Sequence, residues 1–144
     1  MAITVTVAVE KGGVGKTTTC VNLAAAMAAA GKKVLAVDMD TQANCTYFLT
    51  GNKKRTEAYK NRGVAEMLRA YGLVEPGAFI HPTQIPGVDI IPSNAASVTL
   101  PETLNTLAQN YADSKNRFLA YCLAKVSEGY DYVLIDTPPN LEVM

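Results

Sequence analysis

The chain has 144 residues, with 13 basic and 13 acidic side chains and 49% apolar residues. That length allows one domain with a real core, and the cancelled charge gives no global field for nucleic acid or an anionic membrane surface. The longest apolar run, around Val21 to Ala30, is interrupted by Asn22 and is too short to span a bilayer; the first residues, MAITVTVAVE, carry no basic segment of the signal-peptide kind. Three cysteines, Cys20, Cys45 and Cys122, have no paired spacing and point to reduced thiols in a cytoplasm.

In chain order, Ile3 to Val9 is β-rich and nearly uncharged, as a buried parallel strand requires. A glycine loop follows, then an alanine-rich helix over Lys16 to Ala30 with Gly31 as its stop. Val34 to Val37 predicts a second strand ending in Asp38-Met39-Asp40, and Ala43 to Leu49 a short helix. Residues 50–62 are polar and basic and read as a loop. Val64, Met67, Leu68 and Tyr71 recur at helical spacing. Val88 to Ile91 predicts a third strand closed by Pro92. Residues 100–128 read as mostly helical, with a break near Asn110 and a stripe of Phe118, Tyr121, Cys122 and Val126. Tyr132 to Ile135 is the fourth strand, ending at Asp136. Such alternation implies right-handed crossovers and an α/β fold, a parallel sheet covered by helices, with ligands beyond the carboxyl ends of the strands. The glycine loop, the Asp38/Asp40 pair and Asp136 all fall at those ends.

The loop EKGGVGKTT, residues 10–18, nearly fits the phosphate-binding pattern G-x-x-x-x-G-K-[ST], with Glu10 where its first glycine belongs. Gly12, Gly13 and Gly15 let the backbone of the loop, Val14 included, curl its N–H groups inward, and the helix from Lys16 adds its positive end. Lys16 is placed to reach the β- and γ-phosphates of a nucleotide, Thr17 to ligate Mg²⁺, and Thr18 to meet the α-phosphate. Gly12, Gly13, Val14, Gly15, Lys16, Thr17 and Thr18 are therefore the expected nucleotide-binding set.

KGGVGKTT resembles the deviant Walker A motif of the ParA/MinD ATPases. DMDTQANCTYFL at 38–49, DIIPSN at 89–94 and YDYVLIDTPPN at 130–140 resemble further segments of that family, and Gln42 and Asn44 match its ParA branch. The resemblance implies a P-loop NTPase fold with strand order 3-2-4-1, of which residues 1–144 form the N-terminal portion of a single domain. It implies ATP and Mg²⁺ as cofactors. Lys11 is then the signature lysine, reaching the phosphates of a partner subunit. Asp40 positions the attacking water, Asp136 holds a water of the Mg²⁺ shell, and Asp38 supports the metal side. It further implies a cytoplasmic ATPase that dimerises with ATP, meets a ParB-like protein and non-specific DNA, the latter through a part beyond residue 144, and acts in plasmid or chromosome partitioning. Thr41 departs from the family's proline, and Glu10 from its amide. Two other readings stand beside this one. One is an inert nucleotide-binding or self-associating fragment. The other is a reductase of the nitrogenase iron-protein type, which needs cysteines after the fourth strand that DTPPNLEVM lacks. Strand one is expected at a sheet edge, where an apolar strand invites pairing between chains.

Overall fold

The structure is a computed structural model, and it describes residues 2–7, 14–51 and 59–138. Its strands are β1 (Ile3–Val7), β2 (Val34–Asp38), β3 (His81–Pro82), β4 (Val88–Ile91) and β5 (Tyr132–Asp136). The α-helices are α1 (Val14–Ala29), α2 (Asn44–Thr50), α3 (Val64–Arg69), α4 (Leu100–Tyr111) and α5 (Phe118–Ala124). Short 3₁₀ turns over Pro76–Phe79, Ala95–Thr99, Lys115–Arg117 and Ser127–Gly129 join them.

The strands form one sheet in the order β1-β5-β2-β4-β3. β1, β5, β2 and β4 run parallel, in the order expected from the family resemblance, and β3 adds a two-residue antiparallel bridge on β4. That bridge has no sequence signature, since two residues are too few to show a period.

Strand periodicity divides the core into two layers. Leu35 and Val37 of β2, Ile91 of β4, and Val133 and Ile135 of β5 face one side, where they pack with Met67, Leu68, Leu104, Leu107, Phe118 and Cys122 of α3, α4 and α5. Val34 and Ala36, Val88 and Ile90, and Leu134 face the other, against Cys20 and Ala24 of α1 and Cys45 and Leu49 of α2. All three cysteines are buried and unpaired, as core thiols.

The predicted helix over 100–128 is broken into α4 and α5. Ala112, with φ 51°, ends α4 in the left-handed region, two residues beyond the expected break. The chain then turns so that Phe118 comes back against Tyr71, whose ring also meets Tyr111, both at 5.1 Å and nearly perpendicular. Gly63 permits a close approach on the same face. Val64 donates its N–H to the Pro92 carbonyl at 2.8 Å, and a Cβ on residue 63 would stand 2.8 Å from that oxygen. The start of α3 is thereby fixed to the carboxyl end of β4.

Among the described residues β1 pairs with β5 alone, and Ile3 is 58% exposed on this edge. An open apolar edge is a template for another strand. The 144-residue chain is therefore expected to show a mass above monomer in light scattering at high protein concentration. Ile3→Lys, which charges the edge, is expected to return it toward monomer. A wild-type chain that stays monodisperse and monomeric counts against edge pairing.

Candidate functional site

The phase of the strand alternation places the site. Asp38 continues the face of Val34 and Ala36, and Asp136 that of Leu134, so both carboxylates emerge on the α1/α2 side of the sheet. The parallel register pairs Asp38 with Asp136 across β2 and β5. α1 begins beside these strand ends, and its first turn carries Gly15, Lys16, Thr17 and Thr18.

Lys16 is only 5% exposed. Its Nζ lies 3.1 Å from Asp136 Oδ1 and 3.8 Å from Asp40 Oδ2. The 3.1 Å approach is a short buried ion pair. Thr17 donates its hydroxyl to the other Asp136 oxygen at 3.0 Å. One buried ammonium thus faces two buried carboxylates. Burial pushes the Asp136 carboxyl above its ordinary range, and the Lys16 charge opposes that shift.

Asp38 is fully buried and turned toward the loop after β2. Its Oδ2 accepts the Thr46 N–H at 2.9 Å and the Thr46 hydroxyl at 2.7 Å, and its Oδ1 accepts the Asp40 N–H at 3.0 Å. Burial raises its pKa to about 7, against the lowering effect of the Thr46 hydrogen bonds; the neighbouring Asp136 charge adds to the rise. Asp40 lies two residues on. Its Oδ1 accepts the Gln42 N–H at 3.0 Å, and its carbonyl accepts the Ala43 N–H at 3.0 Å. Ala43, buried and with φ 55°, starts α2 from the left-handed region. Ser93, just past β4, donates its hydroxyl to the Asp40 carbonyl at 2.6 Å and its N–H to Thr46 Oγ1 at 2.9 Å.

Of the expected residues, the structure brings together Lys16, Thr17, Asp40 and Asp136, with Asp38 directly behind them. Thr18 is exposed on the first turn of α1, and Gly15 is exposed with open space where a Cβ would stand. Val14 is the first residue of α1. Lys11, Gly12 and Gly13 lie outside the described residues. Ser93 belongs to the same cluster; it lies within the DIIPSN segment, where no role was attached to it. Thr46 stood at the end of the DMDTQANCT segment with no role attached.

These residues fit a nucleotide with its divalent cation. A buried ammonium at the N-terminal end of a 16-residue helix, beside an open glycine, suits a phosphate group. The Asp136 carboxylate and the Thr17 hydroxyl are hard oxygen donors of the kind that would hold Mg²⁺. Among the described residues no group of three or more His, Cys, Asp or Glu could hold a metal alone.

Asp38 sets a pH dependence. Its folded carboxyl binds a proton more tightly than the unfolded one, so its contribution to stability is fully present below about pH 4 and is lost as pH rises through about 7. In chelator and without nucleotide, Asp38→Asn should therefore gain on wild type with rising pH. Its Tm difference from wild type is expected to become more favourable by about 5 °C between pH 5 and pH 8, read by thermal melts. A difference that does not vary with pH counts against this assignment.

The chain matches the family model described as AAA domain over residues 2–144. It is 36% identical to the chromosome partitioning protein ParA of Caulobacter vibrioides over 96% of this chain and 48% of that protein. It is 38% identical to the chromosome-partitioning ATPase Soj of Thermus thermophilus over 92% of this chain and 44% of that one. The fold superposes with TM-score 0.83 on cobyrinic acid a,c-diamide synthase of Mycobacterium smegmatis, solved with ADP and magnesium, at 34% identity over 99% of this chain and 54% of that chain. The chain spans about half the length of the curated relatives it matches. No described helix is long and apolar enough to cross a membrane. With its parallel P-loop-type sheet and its lysine, threonine and aspartates gathered at the carboxyl ends of the strands, the chain belongs to the AAA domain family, among the ParA/MinD-type ATPases.

Proposed function

We propose that this chain is the nucleotide-binding part of a ParA-type ATPase, a cytoplasmic dimerisation switch that works in plasmid or chromosome partitioning. The observation that carries the proposal is the buried Lys16 ammonium held between Asp136 and Asp40 at the start of α1. ATP would supply the phosphoryl group under attack, and Mg²⁺ the charge that offsets its oxygens. The protein's task is then positioning and electrostatics, since phosphoryl transfer asks for little covalent help.

Each residue has a separate part. The loop Gly12 to Thr18 wraps the phosphates, with Lys16 turning its ammonium from the carboxylates to the β- and γ-oxygens. Thr17 and Asp136, already hydrogen-bonded to each other, hold the cation side, and Asp38 fixes the strand end behind them. Asp40 orients the attacking water. Lys11 reaches the phosphates of the partner subunit in a homodimer. Hydrolysis would convert the ATP at the dimer interface to ADP and phosphate and so allow the dimer to reopen. The named relatives partition chromosomes, which supports a DNA cargo and a ParB-like stimulating partner here. The competing reading, an inert nucleotide-binding fragment, predicts no steady-state phosphate release with or without DNA.

Two predictions follow from these assignments in the complete protein. Lys16→Ala removes the main charge contact to the phosphates and leaves Asp136 and Asp40 facing them unopposed. ATP affinity measured by calorimetry is expected to fall roughly ten- to a hundredfold, and ATP-dependent dimerisation with it. Unchanged affinity would show that the loop is not the cradle.

Lys11→Ala, by contrast, is expected to leave monomer affinity for ATP nearly intact while abolishing dimerisation and stimulated hydrolysis, because cations acting in trans contribute on the order of 10³–10⁵ in rate. Asp40→Ala is expected to give dimers that form with ATP and persist. Mixing the two variants creates one site with its own Asp40 and the partner's intact lysine. Hydrolysis should recover in part. If mixed dimers form and no ratio restores activity, Lys11 does not act across the interface.

A further inference from the structure

The turn from Asp40 to Ala43 cannot hold its shape by local preference. Ala43 sits at φ 55°, a region that costs a non-glycine residue about 1–2 kcal/mol. The turn's two end residues, Asp40 and Ala43, are nevertheless buried, with Thr41 and Gln42 exposed between them, and a set of hydrogen bonds holds it. The Asp40 N–H goes to Asp38 Oδ1. Asp38 Oδ2 takes the Thr46 hydroxyl, and Thr46 Oγ1 takes the Ser93 N–H. The Ser93 hydroxyl goes to the Asp40 carbonyl at 2.6 Å. The four residues close a ring, and the Asp40 peptide groups are pinned at both ends of it.

Proton counting gives the ring a direction. A serine hydroxyl has one proton. Ser93 gives its proton to the Asp40 carbonyl, so in the 2.8 Å contact between the Ser93 and Ser97 hydroxyls Ser97 must be the donor. Ser93 is 0% exposed, Thr46 0% and Ser97 1%, so no bulk water replaces a lost partner. Ser93 lies 53 residues from Asp40 and on a different strand connection, so its grip on the turn is tertiary.

We propose that Ser93 is a positioning residue for hydrolysis: through its hydroxyl on the Asp40 carbonyl, and its N–H on Thr46, it holds the strained 40–43 turn and thereby aims the Asp40 carboxylate at the attacking water. This rests on the reading of Asp40 given above. Ser93 touches neither nucleotide nor metal in this assignment; it acts only by fixing the backbone from which Asp40 projects. Small displacements of a group that orients a reactant cost heavily in rate.

The test uses the complete protein and two kinds of readout. Ser93→Ala is expected to lower kcat for ATP about tenfold or more, with the ATP Kd changed less than twofold. In single-turnover assays the same substitution made on an Asp40→Ala background should add no further loss. In the nucleotide-free protein, amide hydrogen exchange at Asp40, Gln42 and Ala43 is expected to quicken about tenfold, with the amides of α4 unchanged. Ser97→Ala, which leaves the Ser93 donor in place, should cost less than threefold in kcat. An unchanged kcat, an equal loss on the Asp40→Ala background, or quickened exchange spread across β4 and α4 overturns the proposal. If Asp40→Ala alone hydrolyses like wild type, the reading of Asp40 has failed instead, and the exchange pattern still decides whether Ser93 holds the turn. Should Ser93→Ala not fold, Thr46→Val opens the same ring from its other side with little change of shape and is read in the same way.

Discussion

The phase of side-chain alternation in β2 and β5 is the constraint on which the rest depends. Both strands are buried on two faces, so each residue must choose a side, and the apolar residues fix the choice: Val34, Ala36 and Leu134 go to the α1/α2 face. Asp38 and Asp136 come next in the same phase and are carried to that face with them, in register across the two strands. A slip of one residue would turn both carboxylates toward α3, α4 and α5 and bury them in the larger apolar cluster. The hydrophobic pattern that builds the sheet therefore also delivers the acidic side chains to the helix that carries Lys16 and Thr17.

The charges at this meeting point are poorly matched among themselves. A buried ion pair stabilises little on balance because desolvation costs about what the attraction returns. Here one ammonium faces two carboxylates. Burial lifts the carboxyls of Asp38 and Asp136 above their ordinary range. A nucleotide with its divalent cation would bring charges of both signs to this cluster. Binding free energy of that kind appears directly as added stability of the folded state.

Much of this was legible in the sequence, and the remainder was not for identifiable reasons. The apolar runs VLAVD, VDII and YVLID announce β2, β4 and β5, and glycines after helical stretches mark ends such as Gly31, which lies at φ 85°. Strand order is a long-range property with no local signature; the expectation of 3-2-4-1 came only through the resemblance of motifs. The break within 100–128 falls two residues beyond Asn110, at Ala112, a residue with no turn preference that nonetheless stands at φ 51°. Lys16, Thr17, Asp38, Asp40 and Asp136 could be named because motif spacing and strand ends point to them. Ser93 could not, since a serine after Ile-Ile-Pro gains meaning only when the fold sets it against a carbonyl 53 residues away.

Ala43 has a consequence beyond its own geometry. A buried alanine at positive φ opens α2 with a residue whose intrinsic preference opposes the shape it must take. Penalties of about 1–2 kcal/mol correspond to population ratios of roughly five to thirty. The shape of the 40–43 turn therefore rests on the hydrogen bonds around it, which hold Ala43 against its own preference. It also leaves a mark on inheritance: a glycine at 43 would relieve the tension and be tolerated by the fold, yet it would slacken the turn that the alanine keeps under load.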